Sequence, residues 1–141
     1  MKKIIIVLFA MAAIITAAGC SANTPSQTAS KGTADKSKEE AAYINVDVKE
    51  AAKLIEQGIT IIDVRTPEEY KTGHIANAQL IPLQEIEARI NEFSVDKQYL
   101  IVCRSGNRSA QSSEILTKNG MKNIYNMTGG MNEWTGEVVT E

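Results

Sequence analysis

The sequence predicts an α/β fold built on a small, mostly parallel five-stranded sheet with helices on both faces. Three observations predict it. Short apolar runs, too brief for helices, alternate with longer segments whose apolar residues recur at helical spacing. Capping residues and glycine stops fall between the two kinds of segment. One run, Tyr99-Leu100-Ile101-Val102, is apolar throughout, as a strand buried on both faces requires.

The elements follow in order. Tyr43-Ile44-Asn45-Val46 alternates like an edge strand. Asp47 caps a helix predicted over Val48 to Gln57, and Gly58 stops it. Ala51, Leu54 and Ile55 share one face of that helix. Ile59-Thr60-Ile61-Ile62 is a buried strand ending at Asp63. Thr66 and Pro67 open a short helix through Tyr70. Gly73 to Ile75 turns, and Ala78 to Ile81 is a short strand closed by Pro82. Leu83 to Asn91 reads as a helix, with Ile86 and Ile90 four residues apart. Tyr99 to Val102 is the central strand, Ser109 to Asn119 a helix ending at Gly120, and Ile124 to Met127 the last strand. Gly129-Gly130 turns into a final helical turn, Met131 to Trp134.

A chain of 141 residues with 43% apolar content suits one domain with one core. The formal charge of −2, with no basic patch interleaved with aromatics, argues against a nucleic-acid partner. The first residues read as an export signal instead of fold. Lys2 and Lys3 precede an apolar stretch, Ile4 to Ile15, that is short for a membrane span. Thr16-Ala17-Ala18-Gly19-Cys20 then resembles a bacterial lipobox, in which the signal is cut before a cysteine that carries lipid. The competing reading is a plain secretory signal cut after Ala10-Met11-Ala12 or Ala17-Ala18-Gly19.

The expected organisation is therefore a signal peptide over residues 1–19, a tether over 20–41 beginning at lipidated Cys20, and a folded domain over 42–141. The tether holds almost nothing apolar larger than alanine and cannot form a core. Its coil-like reach is roughly 25 Å, enough to hold a domain clear of a lipid surface. Losing Lys2 and Lys3 takes the formal charge from −2 to −4. The expected location is the extracytoplasmic side of a bacterial membrane, periplasm or cell surface, with the membrane reached through the lipid. A Cys20–Cys103 disulfide is conceivable in an exported chain. The long tether and the lipid on Cys20 oppose it, which leaves Cys103 as the free thiol.

Cys103 stands where the central strand ends, before Arg104, Ser105, Gly106, Asn107 and Arg108 and a helix start. Loop and helix N–H groups without partners, together with the helix dipole, favour an anion there. A thiol so held loses its proton more readily. In open parallel sheets, ligands bind beyond the carboxyl ends of the strands, where Asp63 and Cys103 both lie. The loop thus reads as a cradle for a sulfur anion.

The segment Cys103-Arg104-Ser105-Gly106-Asn107-Arg108-Ser109 resembles the active loop of the single-domain rhodaneses, the thiosulfate:cyanide sulfurtransferases. Asp63-Val64-Arg65 with Glu68, Glu69, Tyr70, Gly73, His74, Ile75, Ala78, Ile81 and Pro82 is similar to that family's first motif, and Gly129-Gly130 with Trp134 to its C-terminal one. The resemblance runs from about Ile44 to the end, and no internal repeat suggests the tandem form.

The resemblance implies a rhodanese-like fold and sulfur transfer through a persulfide on Cys103. A small sulfur donor such as thiosulfate or polysulfide would load the cysteine, and cyanide or a thiol would unload it. Backbone N–H groups of residues 104 to 108 would hold the outer sulfur. Arg104 and Arg108 would dock a dianionic donor, Gly106 would permit the tight loop, and Ser105 and Asn107 could add donors. Asp63 and Arg65 are expected to be supports: the carboxylate capping loop N–H groups, the arginine tied to Glu68 or Glu69. A direct substrate contact from Arg65 stays open.

His74, the single histidine, is expected to be structural, with general-base catalysis the alternative. With no further His or Cys in the domain, no metal site and no cofactor are expected. Four residues separate Cys103 from Arg108, whereas related phosphatase and arsenate reductase loops resemble Cys-x5-Arg; the tighter ring suits one sulfur atom over a phosphoryl group. A non-catalytic persulfide carrier in the cell envelope needs the same loop and is the alternative function. An inactive interaction domain is disfavoured by the intact loop.

Overall fold

A computed structural model of the chain describes residues 43–141. The expected signal peptide, lipidated Cys20 and tether lie outside the described residues. The domain is a five-stranded parallel sheet in the order β1-β5-β4-β2-β3. The strands are β1 (Ile44–Val46), β2 (Thr60–Asp63), β3 (Gln79–Leu80), β4 (Gln98–Val102) and β5 (Asn123–Met127). Helices α1 (Val48–Glu56), α2 (Pro67–Lys71), α3 (Asn107–Lys118) and α4 (Gly130–Glu133) connect or follow them.

Strand β4 sits at the centre, paired in register with Thr60 to Asp63 on one side and Asn123 to Asn126 on the other. Its residues alternate between two cores, as a strand's two-residue period dictates. Tyr99, Ile101 and Cys103 join Ile62, Ile124, Leu116 of α3 and Phe93 on one face. Leu100 and Val102 join Ile61, Met127, Ala51 of α1 and Tyr70 of α2 on the other. Cys103 therefore continues the buried alternation of β4 and points to the side that α3 covers.

Helices α1 and α2 begin as the sequence predicts. The Asp47 carboxylate accepts from the N–H groups of Lys49 and Glu50, and Glu50 reaches back to Asp47. Thr66 and Glu69 form the same reciprocal cap ahead of Pro67.

Residues 83 to 91 differ from the predicted helix. They form two 3-10 turns, Leu83–Glu85 and Ile90–Glu92. The apolar residues explain this. Leu83 and Ile86, then Ile90 and Phe93, are spaced by three, and all four meet the α3-side core. A three-residue turn stacks such pairs on one edge, which an α-helix would spread apart. Helix α3 also starts two residues earlier than the predicted Ser109, at Asn107, with Gly106 as its cap at φ +91°.

Candidate active site

Strand β4 delivers Cys103 to a nearly closed position, with 1% of its surface exposed. Gly106 N–H donates to Cys103 Sγ at 3.1 Å. Two contacts from α4 set the orientation of the intervening peptides. Met131 N–H donates to the Cys103 carbonyl and Asn132 N–H to the Arg104 carbonyl, each at 2.9 Å. In a trans peptide the N–H points opposite to the C=O. Tying both carbonyls toward α4 therefore turns the N–H groups of Arg104 and Ser105 away from α4, and the Ser105 N–H is one of the donors that act on the sulfur.

Glycine is required at two points of this arrangement. Gly106 needs its left-handed φ, and a Cβ there would crowd Gly129 N and Thr128 Cα at 3.3 Å. At Gly130, φ is +58°, and a Cβ would fall 2.6 Å from the Arg104 carbonyl carbon and 2.7 Å from its oxygen. The Gly129-Gly130 pair brings the α4 backbone against the active loop.

Ser109, buried in the first turn of α3, completes the surroundings of the sulfur. Its Oγ lies 3.3 Å from Cys103 Sγ and 2.9 Å from the Gly106 carbonyl oxygen. The hydroxyl has one proton to give. When the thiol is protonated, S–H donates to Oγ and Oγ–H donates to the carbonyl. When the thiolate forms, the hydroxyl can turn to the sulfur, and the Gly106 carbonyl still accepts from Ala110 N–H at 3.0 Å.

Burial pushes the Cys103 pKa up. The Ser109 hydroxyl and the N–H groups of Ser109, Ser105 and Gly106 outweigh that push and hold it below the ordinary thiol value. Ser109→Ala is accordingly expected to move the pH midpoint of Cys103 alkylation upward. It should slow alkylation at neutral pH by about tenfold, the worth of one hydrogen bond to a charged group. Iodoacetamide kinetics across pH would measure both.

Two of the three arginines take partners other than those expected. Arg65 pairs with Asp63, not with Glu68 or Glu69. Its guanidinium donates to both Asp63 oxygens at 2.7–3.0 Å and to the Gly73 carbonyl at 2.8 Å, all buried. Asp63 also accepts from Arg65 N–H at 3.0 Å, so its capping serves the β2 exit and not the cysteine loop. The pair is two residues apart, close enough that the carboxylate at the strand end is the nearest partner available.

Arg108, expected to meet the donor, is clasped by Glu69: Nη1 to Oε2 at 2.6 Å and Nη2 to Oε1 at 2.7 Å. Arg104 is exposed, and among the described residues it forms no ion pair. Ser105 and Asn107 are exposed on the same loop.

His74 is buried and stacked on Tyr70, ring centroids 3.6 Å apart. Its Nδ1 meets the Tyr70 carbonyl at 3.0 Å, and its backbone pairs with Val139 in both directions at 2.9 Å. These are contacts of a packing residue. Trp134 packs in the α1-side core and donates to the Glu137 carbonyl at 3.2 Å. Among the described residues no group of three or more His, Cys, Asp or Glu gathers as a metal site would need.

The sequence includes Ser109 in the loop segment but gives it no role, and it offers Arg65 either Glu68 or Glu69 where the structure pairs Glu69 with Arg108. A serine one turn into the helix after the loop was the available signal for the first. Nothing local announced the second.

The model of the rhodanese-like domain family matches residues 47–137. The Bacillus subtilis protein YqhL, itself uncharacterized, is 41% identical over 78 residues, 55% of this chain and 62% of YqhL. The chain thus spans less than two thirds of that relative's length. The thiosulfate sulfurtransferase GlpE of Pseudomonas syringae pv. syringae is 31% identical over 92 residues, 65% of this chain and 87% of GlpE. The crystal structure of a rhodanese-like domain protein from Staphylococcus aureus has a TM-score of 0.64 at 36% identity, covering 70% of this chain and 98% of that one.

Proposed function

The chain belongs to the rhodanese-like family, and on that premise we propose that it is a sulfurtransferase working through a Cys103 persulfide. The Cys103 thiolate attacks the outer sulfur of a sulfane donor such as thiosulfate or a polysulfide. A new S–S bond forms on Sγ, the donor's own bond breaks, and its electron pair leaves on sulfite or a thiolate. The terminal persulfide sulfur carries the negative charge. Cyanide or a thiol then takes that sulfur and regenerates the thiolate. The N–H groups of Arg104, Ser105 and Gly106 and the Ser109 hydroxyl steady the anion at each stage. Arg104, exposed on the loop and without an ion pair among the described residues, would meet an anionic donor; Arg108 is paired with Glu69.

The observation that carries this reading is the ring of donors around Cys103 Sγ, with Gly106 N at 3.1 Å and Ser109 Oγ at 3.3 Å. Intact mass after incubation with thiosulfate or polysulfide is the direct test. A gain of one sulfur, lost on adding cyanide, supports it; no gain with any sulfane donor defeats it. Steady-state turnover on cyanide and on small thiols separates an enzyme from a carrier that passes sulfur only to a protein partner.

The N-terminal pattern supports a second element of the proposal: export and lipid anchoring through Cys20 on the extracytoplasmic side of a bacterial membrane. Detergent partitioning of the full chain is expected to place it in the detergent phase and Cys20→Ala in the aqueous phase. Equal partitioning of the two would remove the anchor from the proposal.

A further inference from the structure

The charges around the loop count differently once their partners are known. Asp63 and Arg65 form one closed pair, and Glu69 and Arg108 another. The Glu69 carboxyl is held down at about 2, first by the Arg108 hydrogen bonds, which prevail over burial, with Thr66 N–H and the Arg108 and Arg65 charges adding to it. Glu69 therefore stays ionised beside Arg108 at neutral pH. Helix α4, which clamps the loop, contributes only an acid, Glu133. Arg104 is the remaining cation of the loop.

We propose that Glu69 is a specificity-determining residue that sets the charge class of the sulfur donor. By pairing with Nη1 and Nη2 of Arg108, it neutralises the second cation of the site and favours monoanionic sulfane donors over dianionic ones. The inference rests on the sulfurtransferase reading of the same loop and narrows its substrate class.

Three observations support it. Arg108 lies in the first turn of α3, next to the sulfur loop, and its pKa is raised, first by the hydrogen bonds to Glu69 and, among smaller charge effects, by Cys103. It is close enough to serve the donor but faces Glu69. A carboxylate on Nη1 and Nη2 takes one bidentate edge of the guanidinium and offsets its charge, which weakens its pull on an anionic donor. Glu69 itself is pinned from a second direction, because its Oε2 also accepts from Thr66 N–H at 3.2 Å in the cap of α2. Freeing Arg108 therefore means breaking a contact held at both ends.

Thiosulfate and methanethiosulfonate form a matched pair of probes. They differ by one methyl in place of one charged oxygen. Each gives its outer sulfur to Cys103, and the S–S bond breaks with the electron pair leaving on sulfite or methanesulfinate. Turnover with cyanide is measured for both donors in the wild-type protein, in Glu69→Gln and in Glu69→Gln/Arg108→Gln. Glutamine keeps the cap on α2 while removing the charge.

Wild type is expected to use methanethiosulfonate at least as well as thiosulfate in kcat/KM. Glu69→Gln is expected to shift the ratio toward thiosulfate by about tenfold, the scale of one added unit charge at a half-exposed site. The double variant is expected to return to the wild-type ratio. An unchanged ratio in Glu69→Gln, equal losses on both donors, or a gain that survives in the double variant overturns the proposal. The wild-type measurement stands even if a variant fails to fold: a tenfold wild-type preference for thiosulfate overturns it as well. Persulfide formation with no such ratio change sinks this inference alone. Absence of persulfide from both donors sinks the sulfurtransferase reading with it.

Discussion

Cys103→Ser is expected to lose sulfur transfer by more than about a thousandfold while keeping the fold. The loss follows from the chemistry. A serine hydroxyl at that position stays protonated at neutral pH, because hydrogen bonds that suffice to ionise a thiol fall far short of ionising an alcohol. An oxygen also cannot hold a sulfane sulfur in an exchangeable bond. The fold is spared for a geometric reason. The serine oxygen still offers an acceptor to Gly106 N–H and a partner to Ser109, so no buried donor is orphaned, and the stability change should stay within about 1 kcal/mol. Thiosulfate:cyanide turnover, intact mass and a urea unfolding curve on the same preparation check all three statements. Full activity in the serine variant would move the nucleophile elsewhere.

Gly130→Ala is expected to destabilise the domain by about 2–4 kcal/mol and to make Cys103 sluggish toward alkylation. Two costs add. A left-handed φ of +58° is unfavourable for any residue with a Cβ. The new methyl would also sit 2.6–2.7 Å from the Arg104 carbonyl group, which cannot move without disturbing the loop. Relief requires α4 to back away, breaking the contacts from Met131 and Asn132 N–H to the carbonyls of Cys103 and Arg104. Those contacts orient the Ser105 N–H, one of the donors that lower the Cys103 pKa, so that pKa rises as the clamp opens. Urea unfolding reads the first effect, and the pH dependence of alkylation reads the second. A variant with wild-type stability and wild-type alkylation would remove α4 from the account of the site.

The same residues show what was legible in the chain itself. The strand before Cys103 was plain because its neighbours are apolar without interruption, as only a strand buried on both faces needs to be. The caps at Asp47 and Thr66 were plain because a capping box is completed within four residues. The run from Leu83 to Asn91 misled because Ile86 and Ile90, four apart, suit an α-helix. The core instead takes Leu83 with Ile86 and Ile90 with Phe93, pairs that 3-10 turns present. The sequence offers Arg65 the carboxylates of Glu68 and Glu69 on the following turn of chain. The strand end brought it back to Asp63, and Glu69 was left to Arg108, thirty-nine residues away.

The chain by itself determined the alternation of strands and helices, the position of the cysteine at a strand's end, and the glycines its loop demands. These depend on spacing, capping and backbone freedom over a few residues, and such short-range requirements are written in order along the polypeptide. The tertiary structure alone decided the strand order β1-β5-β4-β2-β3, the clamp of α4 on the loop carbonyls, and the division of the arginines among their carboxylates. Each depends on which distant groups the packed sheet brings within hydrogen-bonding range. Several partners of equal chemistry compete for that contact, and only their positions in space choose between them.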